Sequence, residues 1–332
     1  MTKPPRKVVV TQKFFDDEAV AFLRGNDIEI EIATLPDGKT EAQLDIDDMK
    51  KLLDGAGGWI VGHANITRDA LGALPDLAIV SRRGVGYEKV DTEAAKELGR
   101  VVTITAGGND ASVADQVIGM MISAGRRFRE AQNAMNGGKW NILVGTDLYR
   151  KKVGILGFGR IGRSLARRLQ GFEVEIMVCT PRLRDEDINA YGLSRVDFDT
   201  LLSESDYISL HTPLTPETRH IVDAEAFRKM KPNAVLINAA RGGLVDDRAL
   251  LEALENNRIL GAGLDVYESE SDPSMKSVTD ALIARDDVIA APHAGASTHE
   301  GLARTNMIAS VCAVEVIEGR MPPRECIVVD GR

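Results

Sequence analysis

Three stretches of this sequence carry an apolar run into a group that can do chemistry. Leu236-Ile237-Asn238 leads into Ala239-Ala240-Arg241, Gly263-Leu264-Asp265 into Glu268-Ser269-Glu270, and Ala291-Pro292 into His293. A guanidinium can hold a carboxylate by two parallel hydrogen bonds, and an imidazole can carry a proton near neutral pH. A carboxylate beside the ring can orient it and keep it protonated. Such a set suits a reaction in which an anionic substrate is clamped and a proton delivered. Glu268 and Glu270 are equal candidates on spacing alone.

A second kind of chemistry is announced by Val153-Gly154-Ile155-Leu156-Gly157-Phe158-Gly159-Arg160-Ile161-Gly162, a GxGxxG unit between a strand-like run and the helix-like Ile161 to Leu169. Gly157 permits a tight turn, Gly159 lets a pyrophosphate approach the backbone, and Gly162 lets helix and strand pack closely. The free amides of the helix start attract an anion, so Phe158, Gly159, Arg160 and Ile161 form the expected contact segment for a dinucleotide. NAD sites place a carboxylate about 20 residues further on, against the ribose 2′-hydroxyl. Here the second strand ends Cys179-Thr180-Pro181-Arg182-Leu183-Arg184 with no carboxylate. Thr180 and Arg182 could serve a 2′-phosphate, which favours NADP(H) over NAD(H); the alternative is that Arg182 and Arg184 are solvated loop charges.

The remaining histidines and the cysteines suggest no metal site. His211 sits at a strand end and reads as cofactor lining, while His63, His220 and His299 have no partner identifiable from sequence. Cys179, Cys312 and Cys326 are far apart and lack the paired spacing of a metal site or a disulfide framework.

The elements that must position these groups read as alternating strands and helices. Short apolar runs at Lys7 to Val10, Ile28 to Ile32, Trp59 to Val61, Ile79 to Ser81 and Val101 to Ile104 alternate with helix-like segments. One helix is expected to open at Thr40, with Gln43 reaching back, and to continue to Leu53. A long helix is expected from Asp110 to Arg129. A second series follows: Val153 to Leu156, Val174 to Cys179, Tyr207 to Leu210, Val235 to Asn238, Gly263 to Val266 and Val288 to Ala290. These predict an α/β protein of two domains, each with a mainly parallel sheet flanked by helices, the later one a doubly wound, Rossmann-type cofactor domain. A helix-like run from Ser297 to about Glu318 and the strand-like Cys326 to Val329 return the chain to the first domain, which becomes discontinuous. The expected division is 1–104 with 297–332, and 105–296.

Size and charge agree. At 332 residues the chain exceeds what one core usually fills. A net charge of −9 with no basic block argues against nucleic acid. Met1 to Lys7 leaves no apolar stretch for a signal peptide, and no run nears the length of a membrane span, so a cytoplasmic, membrane-free protein is expected.

Taken together, the GxGxxG unit, His211-Thr212-Pro213-Leu214-Thr215, Asn238 to Asp246, Gly263-Leu264-Asp265-Val266 and Pro292-His293 resemble the D-isomer-specific 2-hydroxyacid dehydrogenase family over nearly the whole chain. That family includes glyoxylate/hydroxypyruvate reductases and phosphoglycerate dehydrogenases. The resemblance implies a cofactor domain inserted in a flavodoxin-like substrate-binding domain, and hydride transfer between a nicotinamide cofactor and a small 2-keto or 2-hydroxy acid. It implies that Arg241 binds the substrate carboxylate together with the Val85 and Gly86 amides, that Glu270, five residues beyond Asp265, bonds the imidazole, and that His293 is the proton donor. By the same resemblance Asp265 and the Ala239 carbonyl orient the nicotinamide, which Val113 faces, Ala240 and Gly295 are cofactor-binding, His211, Pro213 and Thr218 line the dinucleotide, and the protein is a homodimer through Ala111 to Gly145. Relatives commonly have Ala-Glu at Ala114-Asp115, which puts Asp115 near the expected cleft, and a Pro-rich run in place of Ser271 to Lys276. Segment Val61 to Thr67 lacks the arginines of phosphoglycerate enzymes, and Arg82 and Arg83 could replace them only by pointing inward. Glyoxylate or hydroxypyruvate is therefore the favoured substrate type and phosphoglycerate the alternative. A dinucleotide-sensing co-repressor is the rival outside enzymology.

Overall fold

The computed structural model describes residues 3–332, so Met1 and Thr2, the start of the stretch read for a leader, lie outside the described residues. The chain divides into two compact units, one of residues up to Asn109 with Ala296–Arg332, the other Asp110–Gly295. The first crossing falls at 109/110 rather than 104/105 because the segment after the fifth strand stays with its sheet. Thr105 N–H donates to Gly84 O at 2.9 Å, and Ala106 is buried in the first unit's core.

Along the chain the strands are β1 (Lys7–Val10), β2 (Glu29–Ile32), β3 (Gly58–Val61), β4 (Ile79–Arg82), β5 (Val101–Ile104), β6 (Lys152–Leu156) and β7 (Glu175–Cys179). They continue with β8 (Leu193–Arg195), β9 (Tyr207–Leu210), β10 (Val235–Asn238), β11 (Gly261–Leu264), β12 (Val288–Ala290) and β13 (Ile327–Asp330). The first unit's sheet is ordered β2-β1-β3-β4-β5-β13, parallel except where β13 runs antiparallel to β5. That is the flavodoxin order with an added edge strand. In the second unit the order is β8-β7-β6-β9-β10-β11-β12, all parallel, with the doubly wound reversal between β6 and β9. Ligands of such sheets bind beyond the carboxyl ends of the strands at that reversal.

Residue parity explains why both sheets are so apolar. In the second unit Leu156, Ile208, Leu210, Leu236 and Leu264 pack into one core, while Val153, Ile155, Tyr207, Val235 and Ile237 pack into another. Successive side chains point to opposite faces, so a strand covered on both sides needs apolar residues at every position. The first unit repeats the arrangement, with Val9, Trp59, Val61 and Val80 on one side and Val8, Val10, Ile60 and Ile79 on the other.

Several elements differ from the sequence expectation. The second unit has a seventh strand, β8, a short edge strand with only Leu193 buried and hence no apolar run to reveal it. The fifth of its expected strands starts earlier, at Gly261, because that glycine can lie against β12: a Cβ there would stand 2.5 Å from Asp287 O. The long helix stops at Gly125; Arg127 takes a left-handed φ of 55° and a separate helix, Phe128–Asn136, follows. The helix expected from Thr40 to Leu53 is split. Gln43 does accept from the Thr40 amide at 2.9 Å, but only a short turn forms, and Asp45 caps the helix Ile46–Leu52 anew. The atypical Ser271 to Lys276 run is a helix start: Asp272 accepts from Ser274 N–H at 3.0 Å ahead of the helix Lys276–Ala284. No helix among the described residues is long and apolar enough to cross a membrane.

Trp59, fully buried, donates its indole N–H to Thr11 Oγ1 at 2.9 Å. Trp59→Ala removes that bond and leaves a cavity, and is expected to cost about 3–5 kcal/mol in chemical denaturation. A loss below about 1 kcal/mol would show that the first unit's core does not depend on this ring.

Candidate active site

The three glycines of the GxGxxG unit do three different jobs. Gly157 has φ +89°, and a Cβ there would lie 2.5 Å from His211 O, so only glycine lets the end of β6 pass the end of β9. A Cβ on Gly162 would stand 2.9 Å from Gly157 O, which is the close helix–strand contact. Around Gly159 there is nothing within 4 Å. It starts the helix Arg160–Leu169 with no side-chain cap, so the first-turn amides and the positive end of the helix dipole are offered to a pyrophosphate. The backbone therefore fits a dinucleotide. Phe158 contributes main chain only, since its ring is 5% exposed and packs edge-on against Tyr191.

Beyond β7, Arg184 is exposed but pairs with a buried carboxylate. Buried Asp187 takes Arg163 at 2.7 and 2.9 Å and Arg184 at 3.0 and 3.1 Å. These two guanidiniums hold its carboxyl far below the usual carboxylate range. Arg182 and Arg160 are exposed and form no ion pair or side-chain hydrogen bond among the described residues. Thr180 lies beside Arg182 at the end of β7.

The rest of the expected lining falls on neighbouring strand ends. Burial pushes the His211 imidazole down to about 4, so it is neutral, and its Nε2 meets Ser209 Oγ at 2.8 Å. The turn from Pro213 to Thr218 is closed by the Thr218 hydroxyl, which donates to Pro213 O at 2.7 Å. Asn238 shapes the next loop from within: it accepts from Ala240 N–H at 3.1 Å and donates to Arg241 O at 3.0 Å, leaving Ala239 at the crest. A Cβ on Gly295 would lie 3.0 Å from Asp265 Oδ2 and 3.3 Å from Val113 Cγ2, so these three residues converge. Asp115 pairs with Arg168, tying the helix Asp110–Gly125 to the helix Arg160–Leu169.

At the end of β12, His293 adopts φ 54°, a left-handed conformation that costs a non-glycine residue about 1–3 kcal/mol. Buried Asp265 holds it there. Its carbonyl accepts from His293 N–H at 2.7 Å, and its carboxylate accepts from Ala294 N–H at 2.7 Å and Gly295 N–H at 2.9 Å. The imidazole Nδ1 meets Glu270 Oε2 at 2.6 Å, and Glu270 Oε1 is fixed by Tyr267 N–H at 2.8 Å. Both side chains remain 39% exposed, leaving the pair open to a ligand. The Glu270 hydrogen bond raises the His293 pKa; burial and the nearby Arg241 cation oppose it, and Asp265 assists. Glu270 rather than Glu268 is thus the partner of the ring.

In the first unit, Val85 and Gly86 follow Gly84, whose φ of +155° suits only glycine. Arg82 Nε donates to Gly86 O at 3.1 Å. Arg83 is spent on Lys13 O at 2.6 Å, Gln12 Oε1 at 2.7 Å and Asn306 Oδ1 at 3.2 Å. After β3, buried Glu41 accepts from Gly62 N–H at 3.0 Å and His63 N–H at 2.6 Å, filling the amides of that loop with an internal anion.

Residues 118–295 match the family described as D-isomer specific 2-hydroxyacid dehydrogenase, NAD binding domain. Hydroxypyruvate reductase from Thermotoga maritima is 36% identical over 88% of this chain and 92% of its own length. The chain belongs to the D-isomer-specific 2-hydroxyacid dehydrogenase family. It is accordingly an NAD(P)-dependent oxidoreductase acting on the CH–OH group of 2-hydroxy acids. D-3-phosphoglycerate dehydrogenase from Archaeoglobus fulgidus is 33% identical over 97% of this dehydrogenase, which spans only 59% of that protein. Among solved structures, the TT0316 protein from Thermus thermophilus superimposes with a TM-score of 0.86 at 31% identity, covering 97% of this chain and 100% of its own.

Sequence reasoning missed the polar groups that hold this dehydrogenase's loops. His220, for which no partner was identifiable, meets Glu268 Oε1 at 2.7 Å. Asp187 and Glu41 were overlooked because each lies in or beside a helix start, where an acidic residue ordinarily reads as a cap. The His293–Glu270 pair makes a direct prediction. In an NMR titration the His293 ring should stay protonated above the ordinary histidine range, and Glu270→Gln should move its titration to lower pH. An unchanged midpoint in the variant would mean that the hydrogen bond is absent in solution.

Proposed function

We propose that the protein reduces a small 2-keto acid of the glyoxylate or hydroxypyruvate type to its D-2-hydroxy acid, with NADP(H) as the preferred cofactor. The observation that carries this reading is the 2.6 Å His293–Glu270 pair, whose hydrogen bond raises the imidazole pKa against burial and the nearby Arg241 cation. The reduced nicotinamide, when bound, supplies hydride to the carbonyl carbon. His293 delivers its proton to the carbonyl oxygen in the same event, so alkoxide charge does not build up there. Glu270 retains the ring in the orientation and charge state needed. Arg241 takes the substrate carboxylate. In the first unit the Val85 and Gly86 amides donate to no acceptor among the described residues and so can serve an anion. Val113, Asp265 and Gly295 would flank the nicotinamide, and Ala239 and Ala240 the same end of the cofactor.

The cofactor preference rests on the end of β7. Thr180 and the unengaged Arg182 suit a 2′-phosphate, and the nearby carboxylate, Asp187, is committed to Arg163 and Arg184 and is no acceptor for a ribose hydroxyl. A small uncharged substrate tail is supported by the first unit, where Arg83 is occupied by three acceptors and Glu41 fills the amides after β3. Self-association as a homodimer is supported within Ala111 to Gly145 by its later part: Trp140, Ile142 and Val144 are 78%, 94% and 82% exposed, and the helix Phe128–Asn136 buries none of its residues.

Kinetics test the reading. His293→Asn should nearly abolish turnover while NADPH affinity stays within about twofold, and substantial residual activity would refute the role of His293. The ratio of kcat/KM for NADPH over NADH should exceed one and fall about ten- to a hundredfold in Arg182→Ala, the worth of a charge-assisted hydrogen bond; a wild-type preference for NADH would overturn the cofactor choice. In a panel of 2-keto acids, glyoxylate and hydroxypyruvate should outrank phosphohydroxypyruvate. Light scattering should report a dimer that Trp140→Glu with Ile142→Glu converts to monomer.

A further inference from the structure

Glu268 lies two residues before Glu270 and is only 5% exposed. Its Oε1 meets His220 Nε2 at 2.7 Å and lies 3.4 Å from Arg219 Nη2, while its Oε2 accepts from Asp247 N–H at 3.2 Å. Asp247, 3% exposed, answers reciprocally, its Oδ2 accepting from Glu268 N–H at 3.0 Å. Burial pushes the Asp247 carboxyl up to about 6, with the Glu268 charge adding to the rise.

Three chain segments meet at this carboxylate. The turn Tyr267 to Glu270 presents Glu270 to the imidazole. The loop Arg241 to Asp247 begins with the arginine, and its Gly242 backbone presses on the turn so closely that a Cβ would stand 2.1 Å from Tyr267 O. The segment Arg219 to Val222 is stitched to that loop by His220 N–H to Gly243 O at 2.7 Å and Val222 N–H to Leu244 O at 3.1 Å. Backbone contact brings turn and loop together; Glu268 is the side chain that bonds to both flanking segments at once.

We propose that Glu268 is a positioning residue that locks the Arg241 loop against the Glu270 turn, fixing the spacing between the group that holds substrate and the group that charges His293. The inference rests on the roles given to Arg241, Glu270 and His293 above. A carboxylate suits the position because every atom facing it can donate: the His220 and Arg219 side chains and the Asp247 amide. Glutamine would keep the volume but turn an amide N–H₂ toward donors, loosening the lock without opening a cavity.

A double-mutant cycle tests it, using the full chain and steady-state reduction of glyoxylate by NADPH. Glu268→Gln should lower kcat/KM about ten- to a hundredfold, the scale of a small misplacement of a reacting group, with kcat reduced and KM for the keto acid raised. Cofactor Kd, read by fluorescence titration, should stay within about twofold. Acting through Glu270, the change should cost little more in a Glu270→Gln background, so the two losses are not multiplicative. His220→Ala, at a half-exposed site, removes one arm of the lock and should give a smaller loss of the same pattern, which keeps the test open should Glu268→Gln fold poorly. Equal fold-losses in both backgrounds, wild-type kinetics in Glu268→Gln, or a parallel loss of cofactor affinity and Tm would overturn the proposal and leave Glu268 a fold-stabilising residue. Full activity in Glu270→Gln alone would instead strike the reading of Glu270, and the lock with it.

Discussion

The reacting end of the second unit depends on one backbone residue in an unfavourable conformation. His293 lies in the left-handed region, and it stays there because Asp265 uses its carbonyl and both carboxylate oxygens on three consecutive amides, those of His293, Ala294 and Gly295. Released from Asp265, the turn would relax and carry the ring from Glu270. Every other feature of the site adds to this arrangement: the Glu270 hydrogen bond that raises the ring's pKa has a geometry to act on only because the turn is held. Asp265 in turn sits at the end of a strand whose amide ladder to Asn238 continues one residue past β11, at 2.9 Å.

Around that turn, short polar side chains shape the loops from within rather than reaching out to a ligand. Asn238 folds Ala239 to Arg241, Thr218 closes its own turn on Pro213, and Asp187 gathers two arginines. Each pairs with backbone groups or cations of its own loop or of a neighbouring element. The result is a set of loops whose free hydrogen-bonding capacity is concentrated at a few places, notably the helix start after Gly159.

How much of this was legible in the sequence follows from what each residue needs. Strands Tyr207–Leu210 and Val235–Asn238 are evident because burial on both faces demands unbroken apolar runs. Leu193–Arg195, with one buried residue, carries no such mark. The glycine unit is legible for a related reason: Gly157 and Gly162 are required by contacts under 3 Å, and only a few sequences satisfy both. Residues joined across long separations are not legible in this way. The Glu268–His220 contact links positions 48 apart, and the residues alone do not distinguish Glu268 from Glu270; only the family spacing from Asp265 points to Glu270 before the fold shows which carboxylate faces the ring. Arg83 likewise had an unknown direction until its acceptors on Lys13 and Asn306 were in place.

The discontinuity of the first unit imposes an order on synthesis. The second unit, Asp110–Gly295, is contiguous and has every residue of its sheet once position 295 has left the ribosome. The first unit begins earlier and finishes later. One of its two cores packs Val8, Val10 and Ile60 against Ala309, Cys312, Val316 and Ile317, so an apolar sheet face made near the start must wait for the helix His299–Ile317 to cover it. At about 5–20 residues per second the delay is on the order of ten seconds or more. Through that interval this face of the nascent sheet is covered only in part, by Leu23 of the early helix Asp17–Gly25, while the second unit can already fold.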